Sequence, residues 1–159
     1  MSDLKENYIN YIICLVIIFS AFFLDRLSKQ EIIELAGEST IYINDFINFD
    51  LTWNTGIGFG LLSSKSNFIY NFITAIIGAV IVFIIYLILK SKLIDKILFS
   101  LIIGGAIGNL YDRLVYFAVP DFIDLHFKNF HWFTFNVADI FITIGLILYI
   151  LSGLLKKNK

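Results

Sequence analysis

The sequence predicts an all-α membrane protein with four transmembrane helices, a small β-hairpin or cradle on the outer face, and both termini in the cytoplasm. The first observation behind this prediction is composition. Of the 159 residues 58% are hydrophobic and only 16% are charged, and the mean hydropathy is +0.83. Soluble domains carry about 25% charged residues, so a single water-surrounded core could not hide this apolar excess. A soluble monomer is therefore excluded.

Four apolar segments are the second observation. Each is close to the length of about 20 residues that crosses the hydrocarbon core. The first has only Lys5 as a basic flank and is followed by no A-x-A-like cleavage site, which favours a retained helix over a signal peptide. We therefore predict one membrane-embedded domain over residues 1–159, with spans at approximately residues 8–24, 68–89, 97–111 and 138–155.

Loop charges are the third observation, and they predict the orientation. Lys90, Lys92 and Lys96 surround the loop after the second span, and the C-terminal tail is basic without an acid. The segment between the first two spans instead carries six acids against three basic residues. Because Lys and Arg remain on the cytoplasmic side, we expect both termini inside and the loop with Asp121 and Asp124 outside.

A hairpin is predicted in the outer segment, at approximately residues 39–60. Phe49, Leu51 and Trp53 alternate with polar residues, and a turn-like Asn44-Asp45 pair precedes them. This period of two is typical of a half-buried strand. The lone Cys14 lies in an apolar run, where we expect it to pack as a small hydrophobic residue.

Polar residues beside the spans are the candidates for function, because an ionised group at bilayer depth costs about 2.5–3.5 kcal/mol on insertion scales. Helical spacing places several of them on shared faces. Although they come from three spans and a loop, all fall at the ends assigned to the outer face: Asp25, Lys29, Asn109, Asp112, Arg113, Asp121, Asn136 and Asp139.

A structural explanation of the same residues stays open at this point. Asp112 and Arg113 could form a solvated ion pair, and Asp121 and Asp124 could be loop acids. Asp139 could be a helix N-terminal charge favoured by the macrodipole.

Elimination narrows the chemistry. His126 and His131 have no cysteine nearby and no H-E-x-x-H motif occurs, so we predict no metal and no cofactor. A G-x-S-x-G motif is also absent. Two aspartates that share one proton can hydrolyse an amide without a metal ion and without a serine nucleophile. The net charge of −1 argues against nucleic-acid binding.

Two functions of other classes remain as alternatives. A small proton-coupled membrane carrier would use membrane aspartates as relays, but such relays run through the membrane depth. A structural membrane subunit would use Gly104 and Gly108 as a close-packing face. Neither alternative explains why the acids are confined to one face.

Five blocks of polar and small residues follow one another along the chain. They are Asp25-Arg-Leu-Ser-Lys29, Asn54-Thr-Gly56 with Phe59-Gly60, Gly104-Gly-Ala-Ile-Gly-Asn-Leu-Tyr-Asp-Arg113, Val119-Pro-Asp121-Phe122 and Phe135-Asn-Val-Ala-Asp139. In this order they resemble, over nearly the whole chain, lipoprotein signal peptidase (signal peptidase II), the membrane aspartic protease of bacteria.

The resemblance implies an aspartic endopeptidase in which Asp121 and Asp139 activate water. It further implies that one group of residues orients the pair and holds substrate backbone, namely Asn109, Asp112, Arg113 and Asn136. A second group would shape the site and its entrance, namely Asp25, Lys29, Asn54 and Gly56.

The implied substrate is a prolipoprotein whose cysteine carries diacylglycerol, cut just before that cysteine. The implied setting is the bacterial cytoplasmic (inner) membrane, with the active site toward the periplasm. Membrane lipid is the other expected partner, nucleic acid is not one, and a monomer is expected.

The chain departs from the family pattern at three places. Arg26 replaces the usual glutamine, Ile57-Gly58 replaces Ala-Ala, and Pro120 precedes Asp121. Gly58 predicts a looser substrate-facing loop. Pro120 favours an extended Val119, which predicts that the third span ends before Asp121.

Overall fold

The computed structural model describes residues 2–35, 39–56 and 67–157, with side chains between residues 8 and 155 of those ranges. Four helices and four strands follow one another as α1 (Ser2–Leu35), β1 (Ile41–Asn44), β2 (Ile47–Asn54), α2 (Asn67–Lys90), α3 (Leu93–Val115), β3 (Val119–Phe127), β4 (Phe130–Phe135) and α4 (Val137–Lys157). The strands form one antiparallel sheet in the order β1-β2-β3-β4.

All four helices are long and apolar enough to cross a membrane, which confirms the predicted number of spans. α3 is central and contacts the other three helices. In the most apolar 18-residue segment of α3, half of the residues are buried. The buried share of the corresponding segment is 17% in α1, 17% in α2 and 11% in α4. The outward-facing apolar side chains of those three helices are therefore the surface that a bilayer would cover.

Two glycines let α3 approach its neighbours closely. A Cβ at Gly104 would lie 2.6 Å from the Cβ of Ala21 on α1. A Cβ at Gly105 would lie 2.5 Å from the carbonyl oxygen of Ala138 on α4. The absence of side chains at these positions is what brings α1 and α4 against α3.

The first and third helices extend beyond the predicted spans. α1 continues to Leu35 and α3 to Val115, so Asp25, Lys29 and Asp112 are helical. The helical structure therefore extends past Leu24 and Tyr111, the predicted ends of the first and third spans. The helices continue because these charged side chains pair with one another inside the bundle instead of requiring water.

The sheet confirms the predicted hairpin and corrects its extent. β1 and β2 pair around a turn in which the Asn44 side-chain oxygen accepts hydrogen bonds from the backbone N–H groups of Phe46 and Ile47, at 2.9 and 3.0 Å. Residues 57–60 of the predicted hairpin lie outside the described part of the chain. The predicted two-stranded hairpin is too small, because β3 and β4 complete a four-stranded sheet where we expected a loop.

The alternation in β2 holds only for part of the strand. Phe49 and Leu51 pack with Ile32 of α1 and Phe122 of β3, as expected for the inward face. The β2–β3 register then shifts between Phe49 and Thr52. A one-residue slip exchanges the two faces of a strand, so Trp53 is 44% exposed whereas Asn54 is buried.

The helices also share an apolar core. Cys14 is 3% exposed in a cluster with Ile88, Phe99, Ile102 and Ile103. Its predicted role as a packed small hydrophobic residue is confirmed.

Candidate active site

Asp139 is oriented by the first turn of α4. Its carboxylate accepts a hydrogen bond from the backbone N–H of Asn136 at 3.2 Å, and its own N–H donates to the Asn136 side-chain oxygen at 3.1 Å. This reciprocal pair is a capping box, in which each side chain satisfies the other's free backbone N–H. The predicted i, i+3 pair is therefore the start of a helix, and it holds one carboxylate at a defined position.

Asp121 on β3 is held by two side-chain amides. Asn136 Nδ2 donates to Asp121 Oδ1 at 2.6 Å, and Asn54 Nδ2 donates to Oδ2 at 2.8 Å. The Asn54 oxygen accepts the N–H of the buried Gly56 at 2.8 Å, which fixes the direction of the amide. Asn136 thus contacts both aspartates, and Asp121 is held both from β2 and from the residue that caps α4.

The environment of Asp121 favours its neutral form. Its exposure is only 2%. Burial, followed by the nearby charge of Asp139, raises the pKa of Asp121 from an ordinary 3.8 to about 6, against the opposing effect of the two amides. With this pKa, Asp121 carries a proton in about half of the molecules at pH 6 and in about one in ten at pH 7.

Asn109 links Asp139 to a buried charge network on α1 and α3. Its amide nitrogen donates to Asp139 Oδ1 at 2.9 Å, and its oxygen accepts from Lys29 Nζ at 2.7 Å. Lys29 Nζ also lies 2.8 Å from Asp25 Oδ2 and 2.7 Å from Asp112 Oδ2. Lys29, Asp25 and Asp112 are each 0% exposed, so one ammonium group bridges two buried carboxylates.

Two further contacts tie this network to the rest of the fold. Asp25 Oδ1 accepts the backbone N–H of Ala138 at 2.9 Å, next to Asp139. Arg26 pairs with Asp112 Oδ1 and stacks over Tyr111, with its guanidinium carbon 4.7 Å from the ring centroid. A solvated Asp112–Arg113 pair is therefore wrong, because Asp112 is buried and pairs with α1.

Arg113 points a different way. Its guanidinium lines the cavity described below, and its Nε and Nη1 atoms are buried without a hydrogen-bond partner among the described residues. Tyr70 on α2 supports it, because the Tyr70 hydroxyl donates to the Arg113 carbonyl oxygen at 2.8 Å and the ring lies 5.4 Å from the guanidinium carbon. Tyr70 and Arg26 are the two contributors that sequence reasoning missed, since neither has a spacing signal.

A cavity of about 310 Å³ opens between α2, α3 and α4. Asp121 and Asp139 both line it. Its polar end also includes Asn54, Asn109 and Arg113, and its remaining walls are mainly aliphatic: Ile76, Ile77, Val80, Ile81, Ile84, Ile102, Ala106, Val119, Ile142 and Thr143. The aliphatic walls can accommodate the apolar chain of a bound molecule while a polar bond of the same molecule lies next to the two carboxylates.

The structure brings the predicted site residues together in two layers. The cavity layer holds Asn54, Asn109, Arg113, Asp121 and Asp139, and Asn136 and Gly56 directly support it. Asp25, Lys29 and Asp112 lie behind them, away from the cavity lining. Phe59-Gly60 and the Ile57-Gly58 departure lie outside the described residues.

The environment of Asp124 differs from the one that we expected from the sequence. It is 4% exposed and contacts two histidines, so the interpretation as a solvated loop acid is wrong. It is not among the residues that line the cavity.

Comparison with known proteins shows which family the chain resembles. A family model described as signal peptidase (SPase) II matches residues 17–155. A protein named lipoprotein signal peptidase from Pelagibacter ubique (strain HTCC1062) is 54% identical over 158 residues, covering 98% of this chain and 95% of the relative. A protein of the same name from Anaplasma phagocytophilum (strain HZ) is 38% identical over 149 residues, covering 93% of this chain and 96% of the relative.

A solved structure described as a bacterial membrane enzyme is also similar. The two structures superpose with a TM-score of 0.74 at 31% sequence identity. The match covers 92% of this chain and 89% of the other chain. The sequence matches extend over nearly the full length, and the structural match includes both the helices and the sheet. From these findings we conclude that the chain belongs to the signal peptidase II family and is a peptidase.

Proposed function

We propose that this chain cleaves the signal peptide of diacylglyceryl-modified prolipoproteins just before the lipidated cysteine, with Asp121 and Asp139 as the catalytic pair. One observation carries the proposal. Two carboxylates from different elements, the buried Asp121 on β3 and the half-buried Asp139 on α4, line the polar end of a single apolar cavity. The relatives named lipoprotein signal peptidase support the substrate class.

The mechanism uses a proton shared between the two aspartates. The ionised carboxylate takes a proton from a water molecule, whose oxygen then attacks the scissile carbonyl. The protonated carboxyl donates to the leaving amine of the lipidated cysteine, so the C–N bond breaks without a covalent enzyme intermediate. The pKa of about 6 at Asp121 suits it to carry that proton.

The supporting residues keep this geometry. Asn136 holds both carboxylates, and Asn109 holds Asp139 against Lys29. Arg113 lines the cavity and has two buried nitrogen atoms without a hydrogen-bond partner among the described residues, so we expect its guanidinium to donate to a peptide carbonyl of the bound substrate. The aliphatic walls suit the acyl chains of the lipidated cysteine.

The membrane setting is part of the proposal. We place the chain in the bacterial inner membrane as a monomer, with both termini in the cytoplasm and the sheet and the dyad at the periplasmic face. Loop charges support this orientation. Reporter fusions after Lys92 should be cytoplasmic and fusions after Lys128 periplasmic, and the reverse result would contradict the orientation without affecting the chemistry.

Turnover of the purified protein in detergent micelles tests the catalytic pair. With a lipidated prolipoprotein as substrate, Asp121→Asn and Asp139→Asn should each lower the rate by about 10²- to 10⁴-fold, because an amide neither activates water nor donates the proton. Asp45→Asn is the matched control, since it removes an exposed carboxylate from the same sheet. A dyad variant that folds normally and keeps the wild-type rate would refute the assignment.

A further inference from the structure

A second cluster of titratable side chains lies on the sheet. Asp124 and His126 are two residues apart on β3, so their side chains project from the same face. His131 on β4 is the cross-strand partner of His126, and the two imidazole rings stack with centroids 5.3 Å apart. These three described residues do not line the cavity that contains Asp121 and Asp139. Three metal-ligating groups therefore meet at a place that the proposed peptidase chemistry does not use.

The spacing of the donor atoms suits a small cation. One nitrogen of each histidine and one oxygen of Asp124 all lie within 4.8 Å of one another. Asp124 Oδ2 is 2.7 Å from His131 Nδ1 and 3.6 Å from His126 Nδ1. Ligands of tetrahedral zinc, at bond lengths of about 2.0–2.2 Å, lie about 3.4 Å from one another. The observed distances lie on both sides of this value, so small side-chain rotations would complete the site.

One buried atom of the cluster has no partner to explain it. His126 is 6% exposed, and its Nδ1 is buried without a hydrogen-bond partner among the described residues. A buried nitrogen without a partner loses its hydrogen bonds to water and gains nothing in return, which destabilises the fold. A cation at the centre of the cluster would accept its lone pair. The His131 side chain is 57% exposed, which provides an entry path and leaves room for water as a fourth ligand.

We propose that Asp124, His126 and His131 bind one divalent transition metal ion that clamps β3 to β4. Two imidazoles and a carboxylate favour zinc over magnesium or calcium, which prefer oxygen ligands alone. The ion is structural: it stabilises the strand that carries Asp121 but takes no part in peptide hydrolysis. The inference does not depend on the proposed function.

Zinc titration of the purified protein tests the site. The protein is prepared in detergent without a polyhistidine tag, stripped with a chelator, and titrated against a chromophoric zinc competitor. Wild type should bind one ion per chain, and His131→Gln, which alters an exposed side chain, should bind at least about tenfold more weakly. Lys128→Gln is the matched control, because Lys128 is an exposed cation in the β3–β4 turn, and it should bind as wild type.

Two further readouts report geometry and stability. Cobalt in place of zinc should give the visible absorption of a four-coordinate site in wild type, and His131→Gln should lose it. Saturating zinc should raise the unfolding temperature of wild type and of Lys128→Gln but not of His131→Gln, because only binding to the folded state shifts the equilibrium.

Several outcomes would overturn the proposal. Absence of a stoichiometric ion from wild type would leave Asp124 and His131 as an ordinary hydrogen-bonded pair. Binding to His131→Gln as tight as to wild type would show that His131 is not a ligand. Loss of turnover on chelation, restored by zinc, would contradict a purely structural ion. Turnover that persists after chelation supports the proposal, and the Asp121→Asn result tests the peptidase assignment separately.

Discussion

Removing the side-chain amide of Asn54 is expected to raise the pKa of Asp121 above its value of about 6. Asn54 Nδ2 donates to Asp121 Oδ2 at 2.8 Å, and this hydrogen bond stabilises the ionised carboxylate. Asn54→Ala removes the donor and leaves the Asn136 amide in place on the other oxygen. Burial and the charge of Asp139 continue to raise the pKa of Asp121, and they are then opposed only by the Asn136 hydrogen bond and the charge of Lys29.

The size of the effect follows from the energy of one hydrogen bond. A hydrogen bond to a charged group contributes about 1.5–3 kcal/mol, and 1.36 kcal/mol corresponds to one pKa unit. Water that enters the space left by the side chain would replace part of the lost bond. We therefore expect the lower end of the range, which places the pKa of Asp121 near 7 in Asn54→Ala.

Carbon-13 NMR of labelled aspartate carboxyl groups in detergent micelles measures this pKa directly. The Asp121 resonance is assigned by its absence in Asp121→Asn. Thr52→Ala is the matched control, because Thr52 is an exposed residue of β2 opposite Asp121 in the sheet register. The limb of the pH–rate profile that reports Asp121 should move to higher pH in Asn54→Ala by the same amount.

Two results would refute this reasoning. An unchanged pKa of Asp121 in Asn54→Ala would show that the amide does not stabilise the carboxylate. An equal rise in Thr52→Ala would show that disturbance of the strand, and not the lost hydrogen bond, controls the titration.

Three further predictions concern stability in detergent. Gly108→Ala should lower the free energy of unfolding by about 1–3 kcal/mol, because its Cβ would overlap a buried carboxylate of α1, whereas Gly78→Ala, with nothing within 4 Å, should leave it unchanged. Lys29→Met should lower it by about 3–5 kcal/mol, because two buried carboxylates lose their shared cation; an unchanged denaturation midpoint would contradict this. Because the pKa of Asp121 is raised to about 6, this group contributes stability that is complete below 3.8 and is lost as pH rises through 6. That loss amounts to about 3 kcal/mol, and Asp121→Asn should abolish it in unfolding curves recorded across this range.

The part of the fold that the sequence predicts is the part controlled by local composition. A span requires only enough consecutive apolar residues, so the four helices could be recognised one segment at a time. The same holds for Cys14 and for the Asn44 turn, whose environments follow from their immediate neighbours. The motif residues were also identifiable, because the capping pair Asn136 and Asp139 and the ion pair of α1 are spaced for one helix face.

Contacts between distant segments account for what the sequence did not predict. The alternation in β2 predicted an inward Trp53, but the register shift against β3 reverses the last residues and turns Asn54 toward Asp121. The strands β3 and β4 were missed because their pairing depends on a neighbour that β2 supplies from elsewhere in the chain. Strand register is a property of two segments, so one segment alone does not specify it.

The buried charge network around Asp112 also has one part that the sequence determines and one part that only the packing of the helices determines. The sequence alone places Asp112 next to Arg113 in the chain and on the same helix face as Asn109. It also determines that a buried carboxylate needs a partner. Only the tertiary structure decides that the partners are Arg26 and Lys29, because the glycines of α3 bring α1 close enough for their side chains to reach Asp112. The physical reason is that the need to neutralise a buried charge is local, whereas the identity of the group that neutralises it depends on how the helices pack.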